Sequence, residues 1–475
     1  MVRAIETGNV GESSGGTVRG ERWMSTDTWL FVTFALGLVL EAYIFGLAPV
    51  ATGWVKEPAA LRSLLLSWAP LWLIIGIGIA GPVGDWIGRR TTFYITMAAY
   101  GVGAIGLFFS DTYVLILIFL AVLLAAAGAE MNMIMVQVHE TMPTKHRSKA
   151  SMLAINFINM GSVILAVVDL SSISTHVGFE RGMVAMTLLV VLAVLIFTRR
   201  QTPESIRWLV RKGRTEEALA ELARFYGPEE VAARRAAVEQ AQAKAKAAAA
   251  TKPFHKYPPL SLRLVSLILL AFAGTTGFGL LTYTLGPTHF PKLTGDIILV
   301  AGIVGFVSGF FALWADRLSR KNLLLIGYAG TVVITAVAWG TESAWVKALA
   351  FFWVLLVLIN VFTNVGYLVQ DTLKGEVWPT KYRARFTALV RFVGIGGYIG
   401  TIYWTQHFTT AELIRFNLGV WIVGLIGALL WFFWGIETGR GVDIETASGD
   451  AGGLELLELP VEQVFGAQTP STAGS

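Results

Sequence analysis

Four ionisable residues lie deep in, or directly after, long apolar stretches of this chain: Glu41, Glu130, Asp371 and Arg391. Ionisable groups are costly in a lipid bilayer and by default mark a functional site. A carboxylate in a poorly hydrated cavity can load and release a proton near neutral pH. An arginine stays charged and presents a planar fork that suits a carboxylate. These residues therefore predict proton transfer and anion binding.

The depth of each charge suggests its role. Glu41 lies near the middle of the first apolar stretch, and we interpret it as a proton-coupling site, with a structural glutamate as the alternative. Glu130 is either a second proton site, a binding group or a structural residue. Arg391 either grips an anionic solute or pairs with Glu41 or Glu130. Asp371 stands close to Glu376 in sequence, so we assign it to an inner gate.

Amide and aromatic side chains near the middle of other apolar stretches are candidates for a substrate-binding cavity, because they combine apolar surface with hydrogen-bonding groups. Packing or contact with lipid headgroups is the alternative for most of them. The candidates are Tyr43, Asn156, Asn159, Tyr283, Asn360, Asn364, Tyr398 and Trp404.

The elements that carry these residues follow from composition. Of 475 residues, 55% are hydrophobic and only 15% are charged, against about 25% charged in soluble domains. A membrane-spanning helix needs about 20 mostly apolar residues. Twelve stretches meet that requirement: 27–50, 61–83, 91–110, 112–138, 148–170, 180–198, 261–287, 294–314, 322–341, 344–370, 384–406 and 411–435.

Three polar motifs occur twice, at offsets of 231 to 236 residues. They follow the second and eighth, fourth and tenth, and sixth and twelfth stretches. The pairs are Asp85 with Asp316, Glu140 and Arg147 with Glu376 and Arg383, and Glu204 and Arg207 with Glu437 and Arg440. The repeat predicts two pseudo-symmetric six-helix bundles. Glu41, Glu130 and Arg391 have no charged counterpart at these offsets, so the intramembrane charges are asymmetric.

Basic residues set the orientation, because cytoplasmic loops carry the excess of lysine and arginine. With the N-terminus inside, six of the 37 basic residues lie in outer loops, Arg391 lies within a stretch, and the other 30 are on the inner side. Both termini are therefore predicted to be cytoplasmic. We divide the chain into a disordered tail (1–22), an N-terminal bundle (23–198), a cytoplasmic linker with amphipathic helices (199–258), a C-terminal bundle (259–440) and a second tail (441–475).

The loop motifs resemble those of the major facilitator superfamily. Gly81-Pro-Val-Gly-Asp85-Trp-Ile-Gly88-Arg89-Arg90 is similar to its signature between helices 2 and 3. The Glu-x-x-Pro-Thr-x-x-Arg elements and the 203–219 run PESIRWLVRKGRTEEAL resemble the branch that joins sugar porters, organic-ion carriers and aromatic-acid/proton symporters. The resemblance implies alternating access, with cytoplasmic ion pairs that form in the outward-open state. Loop charges that only set orientation are the alternative. The gate residues are Asp85, Arg89, Arg90, Glu140, Arg147, Glu204, Arg207, Asp316, Arg320, Asp371, Glu376, Arg383 and Glu437.

The same resemblance extends to the membrane charges. The run from Leu40 to Pro49 resembles the first-helix Asp-Gly-x-Asp element of acid/proton symporters, with Glu41 at the first Asp. Arg391 and Gly394 resemble an arginine–glycine element of organic-anion carriers and acid symporters. Phe119-Leu120 stands where the branch usually has an arginine on helix 4, and the seventh stretch lacks the paired glutamines of sugar porters, which weakens a sugar assignment.

Together these features predict a secondary active transporter of the cell membrane. It is expected to work by proton-coupled symport of a small organic solute, with an organic acid favoured. A sugar or polyol symporter, a facilitator or exporter of organic ions, and a membrane sensor with a carrier fold are the alternatives. The chain has no cysteine, and no metal-ligand cluster, phosphate loop or nucleophile triad is evident. We therefore expect that the protein is not an enzyme and that it has no cofactor, metal or nucleic-acid partner. The expected partners are a small solute, protons and lipid, and the expected state is a monomer.

Overall fold

The computed structural model describes residues 23–438, except 55–58, 143, 173–175, 206–207, 210–211, 215, 219, 222, 226–257, 316 and 379–382. The predicted tails and most of the predicted linker therefore lie outside the described residues. Across the described part of the chain the regular structure is helical. Among these described residues, twelve helical units are long and apolar enough to cross a bilayer, which confirms the predicted all-α membrane fold.

We label these units α1 to α12. The first six are α1 (Ser25–Phe45 and Leu47–Ala51), α2 (Ala59–Ile87), α3 (Arg89–Phe109), α4 (Tyr113–Thr141), α5 (Thr144–Asn156 and Ile158–Ser172) and α6 (Val177–Arg199). The second six are α7 (Leu260–Gly279, the π-helical turn Leu280–Thr284, and Leu285–His289), α8 (Thr294–Ser308 with the 3₁₀ turn Gly309–Trp314), α9 (Arg320–Gly340), α10 (Leu349–Glu376), α11 (Arg383–Trp404) and α12 (Thr410–Trp434). Two short helices, Pro291–Leu293 and Glu342–Trp345, precede α8 and α10.

The units form two six-helix halves, α1–α6 and α7–α12. Within the first half α2 packs on α4 and α1 packs on α5. Within the second half α9 packs on α10 and α7 packs on α12. The halves meet where α5 packs on α8 and α2 packs on α11. In the repeat α5 corresponds to α11, and α2 corresponds to α8. The two contacts are therefore equivalent, as expected for pseudo-symmetric bundles.

Glycine allows the closest approach between helices. A side chain at Gly76 would overlap the backbone of Ala125, and one at Gly128 would overlap the backbone of Leu73. The backbones of α2 and α4 are therefore in direct contact, a packing that small residues permit in membrane helices. Large apolar side chains such as Phe109 remain exposed on the outer surface, where lipid would cover them.

Three helices are interrupted along their length. The helix of α1 breaks at Gly46 and that of α5 breaks at Phe157, whose backbone N–H bonds the carbonyl of Ala154 at 3.0 Å. Helix α7 contains the five-residue π-helical turn Leu280–Thr284. The sequence predicts three continuous helices here, so these interruptions correct it. Interruptions of this kind often accompany functional sites, because they redirect side chains.

Candidate functional site

A cavity of about 130 Å³ lies between the two halves. Residues from α1, α2, α4 and α5 line one wall, and residues from α7, α8, α10 and α11 line the other. Its polar and charged lining comprises Glu41, Asn159, Ser162, Thr275, Tyr283, Asn360, Thr363, Asn364, Tyr367, Asp371, Lys374, Arg391 and Tyr398. The interrupted helices α1, α5 and α7 all contribute to it.

Glu41 lies one turn before the break in α1 and faces this cavity. Its side chain is buried, with 6% exposed. Its Oε2 atom has no hydrogen-bond partner among the described residues. A buried polar atom without a partner is costly, so a proton or a ligand on this carboxyl would stabilise the cavity wall.

Three charged residues occupy the opposite wall. Asp371 of α10 lies 2.9 Å from Lys374 Nζ and 3.2 Å from Arg391 Nη2. All three side chains are almost fully buried. The structure therefore pairs Arg391 with Asp371, whereas the sequence led us to expect that Arg391 either grips an anionic solute or pairs with Glu41 or Glu130. It also places Asp371 in the cavity wall, where the sequence analysis had grouped it with the inner gate.

The amide candidates form hydrogen bonds both within and between the halves. Asn159 of α5 donates to Asn364 Oδ1 of α10 at 3.1 Å, and Asn364 donates to the carbonyl of Gly305 at 2.7 Å. Ser162 of α5 and the Tyr283 hydroxyl lie 3.1 Å apart. Asn360 donates within its own helix and still lines the cavity. These groups lie where a solute with several hydroxyls could exchange bonds with them.

Three binding candidates lie outside the cavity lining, and one of them, Trp404 at the end of α11, is exposed on the surface. The Tyr43 hydroxyl donates to the carbonyl of Val184 in α6 at 2.9 Å. Asn156 donates to the carbonyl of Phe306 in α8 at 2.9 Å. Neither side chain is part of the cavity lining. Because a helix places successive side chains on different faces, the position of a residue near mid-helix does not predict the direction of its side chain.

Glu130 also lies outside the cavity, inside the N-terminal half. Its Oε1 accepts a hydrogen bond from Arg199 at 2.5 Å, and its Oε2 accepts one from Thr96 at 3.1 Å. The Arg199 guanidinium also covers the ring of Phe93. The sequence analysis missed Arg199 as a partner because it is the last residue of α6, where a basic residue is expected to face water.

The repeated loop motifs perform the same task in both halves. Glu204 accepts hydrogen bonds from the backbone N–H groups of Arg89 and Arg90 at the start of α3. Glu437 accepts from the backbone N–H of Arg320, at 2.8 Å, at the start of α9. Carboxylates at helix N-termini satisfy otherwise unpaired donors and interact favourably with the helix dipole. Both glutamates therefore cap helices, a role that the sequence analysis, which expected ion pairs, did not predict.

Burial raises the pKa of the Glu204 carboxyl, and the N–H donors of Ser205, Arg90 and Arg89 act in the opposite direction. Gly88, between α2 and α3, adopts φ 97°. A Cβ at Gly88 would lie 2.9 Å from both Glu204 and Trp208. This position therefore requires glycine for its backbone conformation and for the space beside it.

Other gate residues form ion pairs within one half. Arg89 contacts Asp85 at 2.9 Å. Arg320 contacts Glu376 at 3.2 Å with both side chains buried. Arg90 contacts Glu221 of the linker at 3.3 Å. Asp316 and Arg207 lie outside the described residues, as do the side chains of Glu140, Arg147 and Arg383.

The side of the bundle opposite these motifs also joins the halves. Ser63 of α2 bonds Gln406 at 3.1 Å, and Ser67 lies 2.8 Å from the Tyr403 hydroxyl of α11. The cavity thus lies between this contact and the motif side. Hydrogen bonds of this kind are individually weak.

Lys374 and Tyr367 are cavity residues that the sequence analysis did not select. A signal for Lys374 was available, because it stands three residues after Asp371 and i,i+3 pairs share a helix face. Tyr367 had no distinguishing signal, since most tyrosines in such a chain pack or contact headgroups.

Comparison with known proteins identifies the family. Residues 31–440 match the family model described as "Sugar (and other) transporter". The probable metabolite transport protein CsbC of Bacillus subtilis is 25% identical over 389 residues, covering 78% of this chain and 83% of the relative. A D-xylose transporter of Levilactobacillus brevis is 26% identical over 432 residues, covering 85% and 91%.

A solved structure has the same fold. It is the major facilitator superfamily proton:xylose symporter XylE, from E. coli, bound to 6-bromo-6-deoxy-D-glucose. The TM-score is 0.68 at 17% identity, with 90% of this chain and 99% of that chain covered. The chain is therefore a multi-pass membrane transporter, not an enzyme; it has the fold of this major facilitator superfamily structure, and it belongs to the sugar (and other) transporter family.

Proposed function

We propose that this protein is a proton-coupled symporter of a small polyhydroxylated solute, a sugar or polyol, that works by alternating access. One observation carries the proposal. Glu41 is buried in the wall of a cavity between the halves, with a carboxyl oxygen that lacks a hydrogen-bond partner among the described residues. The organic acid favoured by the sequence has no counterpart among the relatives named above, whereas D-xylose transport has two.

In the proposed cycle a proton neutralises Glu41 when the cavity is open to the outside, because a neutral carboxyl tolerates burial better than a carboxylate does. The amides of Asn159, Asn360 and Asn364 and the hydroxyls of Ser162 and Tyr283 then bind the solute hydroxyls. Each such bond replaces one that the protein or water would otherwise make. The halves rock about the cavity, and both proton and solute leave on the other side.

We also propose the arrangement in the membrane. The lysine and arginine asymmetry supports a cytoplasmic motif side, with both tails and the 199–258 linker on that side of the cell membrane. The packing of α1–α6 and of α7–α12 supports bundles over 23–198 and 259–440. Among the described linker residues, Trp208 donates to the carbonyl of Asp85 at 3.0 Å, which attaches the linker to the N-terminal half.

Uptake of radiolabelled D-xylose into proteoliposomes tests the function. An inward proton gradient should drive accumulation by the wild type. Glu41→Gln should abolish accumulation and leave solute exchange intact, because glutamine keeps the shape and loses the titratable group. Glu216→Gln, the same change at an exposed linker position, should behave as wild type. Proton-driven accumulation by Glu41→Gln would disprove the role of Glu41, and absence of any proton-linked sugar or polyol uptake would disprove the function.

A further inference from the structure

The charges of the cavity are unevenly divided between its walls. The wall of the C-terminal half contains Asp371 between two cations, Lys374 at 2.9 Å and Arg391 at 3.2 Å. Each of these side chains is at least nine-tenths buried. The three charges sum to +1. The carboxylate of Asp371 therefore pairs with both cationic side chains.

Glu41 is the one other ionisable acid or base, apart from tyrosines, among the described residues that line the cavity. When Glu41 is ionised, the four charges sum to zero. When it is protonated, the cavity carries +1. An uncompensated buried charge is strongly unfavourable. In the cycle proposed above, the solute binds when Glu41 is protonated. The cavity then lacks one negative charge.

Arg391 has hydrogen-bond donors available for a group that supplies the missing negative charge. Its Nε has no hydrogen-bond partner among the described residues. Its Nη1 faces the Met131 sulfur at 3.2 Å, and a thioether is a weak acceptor. A carboxylate accepts two parallel bonds from a guanidinium, which is the geometry that arginine recognises best.

The remaining polar lining suits a different part of the same solute. Asn159, Asn360 and Ser162 present amide and hydroxyl groups to the cavity, and Tyr283 and Tyr398 present hydroxyl and ring surface. These groups both donate and accept hydrogen bonds, as sugar hydroxyls do. A solute that satisfies these groups as well as Arg391 has several hydroxyls and one carboxylate.

We infer that the preferred solute is a sugar acid, a polyhydroxylated monocarboxylate such as an aldonate or uronate, whose carboxylate binds Arg391 while a proton occupies Glu41. This inference rests on the proposed proton symport and specifies its solute. The loaded cavity is then neutral, because one proton and one monoanion enter together. Transport of a neutral sugar with one proton would instead move one positive charge.

Two measurements on the wild type in proteoliposomes test the inference. First, D-xylonate should inhibit labelled D-xylose uptake at an at least tenfold lower concentration than unlabelled D-xylose does. Second, proton-driven D-xylonate accumulation should not change when a potassium diffusion potential of −100 mV is imposed. A process that moves one charge would gain about 50-fold in accumulation from that potential.

A variant adds a test of the contact. Arg391→Gln should raise the half-saturating concentration of D-xylonate at least tenfold, whereas Arg415→Gln, at an exposed position of α12, should leave it unchanged. Folding is checked by gel filtration in detergent. If Arg391→Gln does not fold, the two wild-type measurements still decide the matter.

The outcomes separate this inference from the proposed function. Proton-coupled D-xylose uptake that D-xylonate does not inhibit would overturn the sugar-acid inference and leave the symport intact. D-xylonate accumulation that rises about 50-fold with the potential would overturn the charge accounting. Failure of both solutes to move with protons would overturn both proposals.

Discussion

The buried ion pair of Glu130 and Arg199 allows a quantitative prediction about what stabilises the N-terminal half. Both side chains are almost fully inaccessible, 0% and 3% exposed, and their atoms are 2.5 Å apart. Glu130 also accepts from Thr96, and Arg199 covers the Phe93 ring. Since the pair lies outside the cavity, we predict that it supports structure and not coupling.

The two single substitutions should differ in cost. Glu130→Gln leaves the guanidinium of Arg199 buried beside a neutral amide, and a guanidinium cannot release its proton. Breaking a buried pair in this way costs about 3–5 kcal/mol. Arg199→Met leaves a carboxyl that can become neutral by binding a proton, and the thioether still contacts the ring of Phe93. We therefore expect a smaller cost of about 1–3 kcal/mol.

The double variant removes both charges, so it should be more stable than the sum of the single costs predicts, by about 2 kcal/mol or more. Thermal unfolding in detergent, followed by the fluorescence of the 16 tryptophans, gives the order of stabilities. The double variant should also retain proton-driven uptake. Additive costs, or loss of coupling in a folded double variant, would refute the structural role of Glu130.

Three further predictions concern the motif side and the cavity. Gly88→Ala should destabilise the protein by about 1–3 kcal/mol, because it strains a positive φ and overlaps two side chains. The matched control is Gly213→Ala, at φ 73° with open space around it. Thermal unfolding compares the two variants. Glu204→Ala and Glu437→Ala should each cost about 0.5–2 kcal/mol as lost helix caps, and Glu204→Gln should cost less in the same unfolding assay because it keeps an acceptor oxygen. Tyr283→Phe should weaken solute binding about 2–10-fold, the value of one hydrogen bond, measured as half-saturating concentration for uptake.

The helices were predictable because lipid imposes a strong rule: about 20 apolar residues must follow one another to span the bilayer. The fold followed from the repeat, and the comparisons confirm both. The direction in which each side chain points was harder to predict from the sequence. Tyr43 and Asn156 have the composition of cavity residues, yet each bonds a neighbouring helix, because helix rotation depends on packing against several partners at once.

Charge partners were the hardest feature to predict. Arg391 pairs with Asp371, which is 20 residues earlier in the chain and on a different helix. Only the packing of α10 beside α11 brings them together. Glu130 and Arg199 are 69 residues apart, and nothing in their local sequence distinguishes this pair from other combinations. The symmetric caps were visible as a repeat, but their contacts with backbone N–H groups required coordinates.

The contrast between symmetric and asymmetric charges suggests how the proposed cycle is driven. The Glu204 and Glu437 caps are equivalent, so they hold each half as a unit without favouring either side of the membrane. The cavity charges are unequal: the first half contributes Glu41, and the second contributes three residues that sum to +1. Ionised Glu41 therefore attracts the opposite wall, and this attraction is strong where little water is present. A proton on Glu41 removes the attraction. In the sugar-acid inference, the carboxylate of the solute restores the charge balance of the cavity, so the halves close around the cavity only when it holds neither proton nor solute, or both. That rule is the physical requirement for coupled transport, because a cavity holding the proton alone would be left with an uncompensated charge.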